Sequence, residues 1–219
     1  MQRLTVLAAA ALIGGVLLAS CSSGSTIGTS VGTISSPPAG SGSGHPSVSP
    51  TETPVSSESP VPVESNPPGD IPDNAVFVPY HSAKGGWTVT VPEGWSRATT
   101  GTTVTFTDKL NTVQVDARPG TVVTLASARK TDVPTLANTT RAFKLTSVAE
   151  VTLPAGPAVL ISYLVNSDPN AVTGKQYRLD VLQYELFHAG TRTTLTLLSP
   201  VGADNVDPWR IVTQSLKTA

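Results

Sequence analysis

Few side chains in this sequence could carry a reaction by type and spacing. Cys21 is the only cysteine, so no disulfide forms within the chain and no zinc or iron–sulfur site rests on several thiolates. His45 stands in a Ser/Gly/Pro stretch, and His81 and His188 lie far apart in the chain. Neither of these two has a ligand partner at helical spacing, so both read as surface or turn residues rather than a shared metal site. No H-E-x-x-H, G-x-S-x-G, P-loop, dinucleotide-binding glycine pattern or EF-hand loop occurs. The Gly-Ser repeat from Gly40 to Gly44 is followed by no helix and is not a phosphate loop. No serine sits at a recognisable strained elbow, which leaves a hydrolase as the weakest reading. Asp204, Asn205 and Asp207 offer oxygen ligands of the kind calcium takes, but their position before Pro208 fits a turn leading into a helix. The expectation is no catalytic residue, no metal and no cofactor.

The aromatic side chains are better candidates for binding than for chemistry. Trp87 and Trp209 fall on apolar faces and read as core. Trp95 follows the turn Pro92-Glu93-Gly94 and is the one candidate for a partly exposed binding surface. Arg178 with Asp180, and Arg192 across the next hairpin, read as solvated cross-strand ion pairs, with a polar groove as the alternative. The sequon Asn138-Thr139-Thr140 carries little weight beside the leader described next.

The elements that position these residues fall in three parts. The 219 residues carry 14 basic and 15 acidic side chains, a net charge of -1. That balance lacks the basic excess of a nucleic-acid binder. Arg3 precedes an apolar run from Leu4 to Leu18. About 15 residues at a rise of 1.5 Å reach only about 22 Å, short of the roughly 30 Å of a bilayer core, so residues 1–20 read as a signal peptide. The run ends Leu18-Ala19-Ser20-Cys21, which resembles the bacterial lipobox. A thiol must be present to take the diacylglyceryl group, and small residues must precede the cut. The resemblance implies a mature chain beginning at a lipidated Cys21, anchored stably by two or three acyl chains on the extracytoplasmic face of the cell membrane.

Residues 21–73 comprise this cysteine and a tether. Ser22 to Asp73 hold 10 prolines, 19 Ser or Thr and 7 Gly, with no Lys, Arg or aromatic residue. Such a composition buries too little apolar surface to offset the entropy of ordering. It reads as a disordered spacer, with O-glycosylation as the sharper alternative.

Residues 74–219 read as one globular domain of ordinary size. Period-two alternation marks strands: Val76 to Val78; Trp87, Val89 and Val91; Val104 and Phe106; Val113 and Val115; Val148 to Leu153; Val159 to Val165; and Tyr177 to His188, with Leu182, Tyr184 and Leu186 on one face and Gln183 and Glu185 on the other. The first three runs, extending through Val113 and Val115, suggest an antiparallel meander. Ala189-Gly190 turns into a hairpin with Thr193 to Leu198. One helix is expected within about 121–143, where Val122, Leu125 and Ala126 fall at helical spacing and Asp132 before Val133-Pro134 offers a candidate start. A final amphipathic helix carries Trp209, Val212 and Leu216, with Asp207 as N-cap and Pro208 in first position. The fold class is α+β: an antiparallel sheet of about six to eight strands with two or three packed helices.

The stretch Gly86-Trp87-Thr88-Val89-Thr90-Val91-Pro92-Glu93-Gly94-Trp95 resembles the opening strand of the PsbP-type fold. The break Leu153-Pro154-Ala155-Gly156 and the closing helix after a hairpin are similar to it as well. With the lipobox, and with Pro200 to Trp209, the chain resembles actinobacterial lipoproteins of the LpqN type over roughly residues 75–217. The resemblance implies an α/β/α sandwich and an envelope location, and carries over no catalytic residue. The expected function is a non-enzymatic binding or interaction module contacting an envelope protein, glycan or lipid. The alternative is a carrier of a lipid or other small apolar ligand.

Overall fold

The computed structural model describes residues 55–219. The leader, Cys21 and the tether up to Pro54 lie outside the described residues. The fold is α+β, built on two antiparallel sheets. A small sheet has the order β1-β2-β10, with β1 Phe77–Ser82, β2 Trp87–Pro92 and β10 Lys217–Thr218. A seven-stranded sheet has the order β3-β4-β5-β9-β8-β7-β6. Its strands are β3 Ser96–Thr100, β4 Thr103–Asp108, β5 Asn111–Pro119, β6 Lys144–Leu153, β7 Gly156–Asn166, β8 Arg178–His188 and β9 Thr191–Pro200. The expected meander is therefore divided: β1 and β2 form their own hairpin, and β4 and β5 belong to the large sheet.

Alternation along the strands sorts side chains onto the two faces of the large sheet. Val104 and Phe106 of β4, Val113 and Val115 of β5, and Leu195 and Leu197 of β9 share one face. They pack there against Trp87, Val89 and Val91 of the small sheet and against Trp209, Val212 and Leu216 of helix α3, Val206–Ser215. The opposite face carries Val159, Ile161, Tyr163 and Val165 of β7 with Leu179 and Val181 of β8. A helical stretch over 125–139 covers it with Leu125, Ala128, Val133 and Leu136. The hairpin between β8 and β9 closes through Ala189 and Gly190, both at positive φ (45° and 84°), the backbone a two-residue turn with right-handed twist requires.

The 125–139 stretch fills the expected window and begins ahead of the candidate start at Asp132. It opens at α1, Leu125–Ser127, where Thr124 and Ser127 form a reciprocal capping box. It continues through a π turn, Ala128–Asp132, into α2, Val133–Thr139. The wide turn stands where Pro134 would otherwise have to donate to the carbonyl four residues back, which its ring nitrogen cannot do. Asp132 sits inside this helix with helical φ and ψ and makes no capping hydrogen bond. Helix α3 starts two residues earlier than expected, at Val206. Asn205 is its N-cap residue, and Pro208 falls third, still within the first turn where no N–H is needed.

Residues on the tether side of the expected boundary at 74 also pack on the domain. Residues 58–73 form a strap along the end of the large sheet. Three buried asparagines hold it. Asn166 Nδ2 donates to Glu58 (3.0 Å) and to the Ser59 carbonyl (2.8 Å), while its Oδ1 accepts from Val61 N (3.1 Å). Asn205 Oδ1 accepts from Ile71 N (2.8 Å), and Asn111 and Asn205 both donate to the Gly69 carbonyl (2.8 and 3.0 Å). Ile71 enters the core, 4% exposed. Composition could not reveal this docking, because the donors and acceptors are backbone groups of the strap and amides distant in sequence.

A polar groove between helix and sheet as candidate binding site

The helix-side face of the large sheet changes character across its width. Beneath 125–139 it is apolar on β7 and the start of β8. Toward β5 and β4 the same face presents Gln183 and Glu185 (β8), Arg192, Thr194 and Thr196 (β9), Gln114 and Asp116 (β5) and Thr103 (β4). These residues line a groove of about 380 Å³ walled on its other side by Asp132, Thr135 and Leu136. Register places Thr194 opposite both Glu185 and Asp116. The two acids thus sit in one cross-strand row, on the order of 10 Å apart at the usual strand spacing.

Glu185 anchors the floor. Its side chain is 1% exposed. One carboxylate oxygen accepts from Gln183 Nε2 at 2.6 Å and the other from the Arg192 guanidinium. Gln183 Oε1 in turn accepts from the Tyr163 hydroxyl at 3.0 Å. The same Arg192 nitrogen lies 2.8 Å from Asp132 Oδ1, so one cation bridges the sheet to the helix. Burial pushes the Glu185 carboxyl above its ordinary value, and Arg192 and Gln183 pull against it. Burial, with the charge of Glu185, also raises Tyr163.

Asp116 behaves oppositely. Burial alone would raise it, but Thr102 (2.7 Å), Thr103 (3.1 Å) and Arg118 donate to it and hold it below the ordinary value. Each acid thus already has its donors. Neither is set as a free nucleophile or base, and charge within the groove is nearly balanced. What faces the opening is a row of half-buried hydroxyls and one amide: Thr103, Thr194, Thr196 and Gln114. A second groove adjoins the first at Glu185. It holds about 480 Å³ and is lined by Val122, Val123, Val151, Val159 and Phe187.

The residues singled out by sequence fall elsewhere. Trp87 and Trp209 are buried in the core. Trp95 is half-buried beside it, edge-on to Trp209 with ring centroids 6.4 Å apart, on the face away from the groove. His81 stands on β1 with its Nδ1 3.2 Å from Thr88 Oγ1, and His188 ends β8. Asn205 spends its amide on the strap and Asp207 pairs with Arg210, so this segment serves docking and helix entry. The expected solvated pairs are corrected. Arg178 is 5% exposed and donates to the Ala142 carbonyl (2.8 Å) and to Asn166 (3.1 Å), not to Asp180. Arg192 does pair across the hairpin, but with buried Glu185. Glu185 was legible only as a polar-face residue, since its burial comes from Asp132 and the helix above it.

No protein-family model and no curated protein matches the chain. Solved structures similar to it include cyanobacterial PsbP (CyanoP) from Synechocystis, at 16% identity and a TM-score of 0.49, covering 70% of this chain and 100% of that one. Another is the Ran-binding protein Mog1p of Saccharomyces cerevisiae, at 11% identity and a TM-score of 0.45, covering 66% and 96%. A third, from Bacteroides thetaiotaomicron, has 10% identity and a TM-score of 0.42 over 64% of this chain; the present chain spans 48% of its length. The likeness concerns the course of the chain, and no ligand or partner is taken from it.

Proposed function

We propose that this chain is a lipoprotein of the LpqN type, anchored through Cys21 on the extracytoplasmic face of the cell membrane, that works by binding and not by catalysis. Its ligand is a neutral, hydroxyl-rich molecule of the envelope, a glycan segment, held in the groove between 125–139 and β5–β9. The observation that carries this reading is the groove floor. The ionisable groups there are already paired with one another, while Thr194 and Thr196 stand half-open toward the groove beside Thr103 and Gln114, which donate to Asp116 and Thr105 and keep acceptor lone pairs. Such a lining exchanges hydrogen bonds with sugar hydroxyls without stripping water from an unpaired charge. About 380 Å³ suits a small ligand segment.

The test is a panel of neutral oligosaccharides titrated onto the full chain, followed by saturation-transfer NMR. Binding that weakens at least tenfold in Gln114→Ala or Thr196→Val supports the reading. Absence of binding across the panel, or binding indifferent to both variants, rejects it. Cys21→Ala releasing the protein from membranes tests the anchor separately.

A second reading, a carrier of an apolar ligand, draws support from the adjoining valine-lined groove, where Val122 is 60% exposed. Native mass spectrometry that finds a co-purifying lipid, lost in Val122→Asp, favours the carrier over the glycan reading.

A further inference from the structure

On the opposite face of the large sheet, helix α3 leaves a cleft of about 390 Å³ against β8. Asp180, Leu182 and Tyr184 alternate along the strand and so line its floor together. Ser199 stands opposite Asp180 on β9, and Trp209 of α3 forms the wall. Asp180 is half-buried, and no ion pair among the described residues involves it. The nearest cation on the helix, Arg210, also lines the cleft but is turned to Asp207, at 2.8 Å. Asp204 and Asp207 are exposed neighbours of lining residues in sequence, and Asp70 accepts from the Asp204 backbone N–H at 2.9 Å. The carboxylate in the cleft therefore accepts from the Val181 backbone N–H but has no ion-pair partner among the described residues, and it lies beside Leu182, Tyr184 and Trp209.

We infer that this cleft is a binding site for an alkylammonium group, the ammonium on Asp180 and its methylene stem along Leu182, Tyr184 and Trp209. Two features converge on that chemistry. A half-buried carboxylate that no cation of the described chain answers gains most from a charged donor. The apolar wall between acid and rings suits a stem that an inorganic cation lacks. Burial, which raises Asp180, is the cost that such a ligand would offset.

The full chain carries three tryptophans, so its 15N-labelled indole N–H signals report on the cleft directly, and Trp209→Phe assigns the relevant one. n-Pentylammonium, 1-pentanol and Nα-acetyl-lysine N-methylamide are titrated in turn. The Trp209 signal is expected to shift and saturate with pentylammonium, with affinity about tenfold weaker or worse in Asp180→Asn. Equal response to the lysine derivative identifies a protein lysine as the natural donor; response to pentylammonium alone identifies a free amine. No saturable shift with either amine overturns the site. So does equal affinity for 1-pentanol, or an unchanged affinity in Asp180→Asn. Asp180→Asn relieves a burial cost, so its melting temperature is expected to hold or rise, which separates lost binding from lost folding.

Discussion

Arg192→Met removes the guanidinium that joins the sheet to the helix while keeping much of its stem. Glu185, 1% exposed, is then left with Gln183 as its only donor, and Asp132 loses its partner. Removing one member of a buried pair costs about 3–5 kcal/mol when the remaining charge cannot escape. Here it can escape, by taking a proton. For a carboxyl of ordinary pKa 4.5, protonation at pH 7 costs about 3.4 kcal/mol, falling by about 1.4 kcal/mol per pH unit. That sets a ceiling on the loss. Native Glu185 in the variant binds a proton more tightly than the unfolded chain does, so stability must rise as pH falls toward 4.5. Urea denaturation should show a loss of about 3 kcal/mol at pH 7, roughly 1.5 M in midpoint for a slope near 2 kcal/mol/M. At pH 5 the loss should shrink to about 1 kcal/mol. Adding Glu185→Gln should recover most of it and abolish the pH dependence. A loss that is the same at both pH values, or a double variant no more stable than Arg192→Met, refutes a buried carboxylate as the source of the cost.

The strap makes a prediction with the opposite sign. Glu58 is held below its ordinary value because Asn166, Arg141 and Gln176 outweigh the effect of burial, so its contribution is present above about pH 4.5 and lost as pH falls through the lower folded value. The Val61 amide resonance, donated to Asn166, should follow that titration, and Glu58→Gln should flatten it. Asn205→Ala removes the acceptor of Ile71 N and one of two donors to the Gly69 carbonyl, which keeps Asn111; leaving the buried Ile71 N–H unpaired should cost about 1–3 kcal/mol in chemical denaturation. Gly85→Ala would place a Cβ 2.1 Å from the indole nitrogen of Trp87, which is 1% exposed. The forced movement in a packed core should lower stability by about 1–3 kcal/mol, and a thermal melt equal to wild type would contradict the packing described.

Strands were legible wherever one face is dry. Trp87, Val89 and Val91 alternate with threonines and are 1%, 0% and 3% exposed, as their pattern requires. β3 could not be read in the same way: Ser96 to Thr100 are all exposed, and an edge strand with two wet faces leaves no apolar rhythm in sequence. The division of β1–β2 from β4–β5 was equally hidden. Alternation states which residues share a face, not which sheet they join. The helical stretch 125–139 lies within the window where a helix was expected, and the segment from Val133 begins at the candidate Asp132, but Asp132 does not cap it. Its carboxylate instead meets Arg192, a partner sixty residues on in sequence.

The polar features carry a common physical lesson. Glu185, Asp116, Asn111, Asn166 and Asn205 are all buried, and each stands on or beside a strand where a polar residue at an outward position looks ordinary. Burial is imposed on them by something laid over that position: the 125–139 stretch over Glu185, the strap over the asparagines. A buried polar group is tolerated only when its hydrogen bonds are met, so each becomes a specific clasp for the element that covers it. Asp180 is the contrasting case. It lies on the α3 side of β8, in phase with Leu182, Tyr184 and Leu186, and is partly covered by α3, yet no ion pair among the described residues answers it. Where the same fold answers its other buried acids with arginine, an unanswered one beneath Trp209 is best explained as a place kept for a cation from outside the chain.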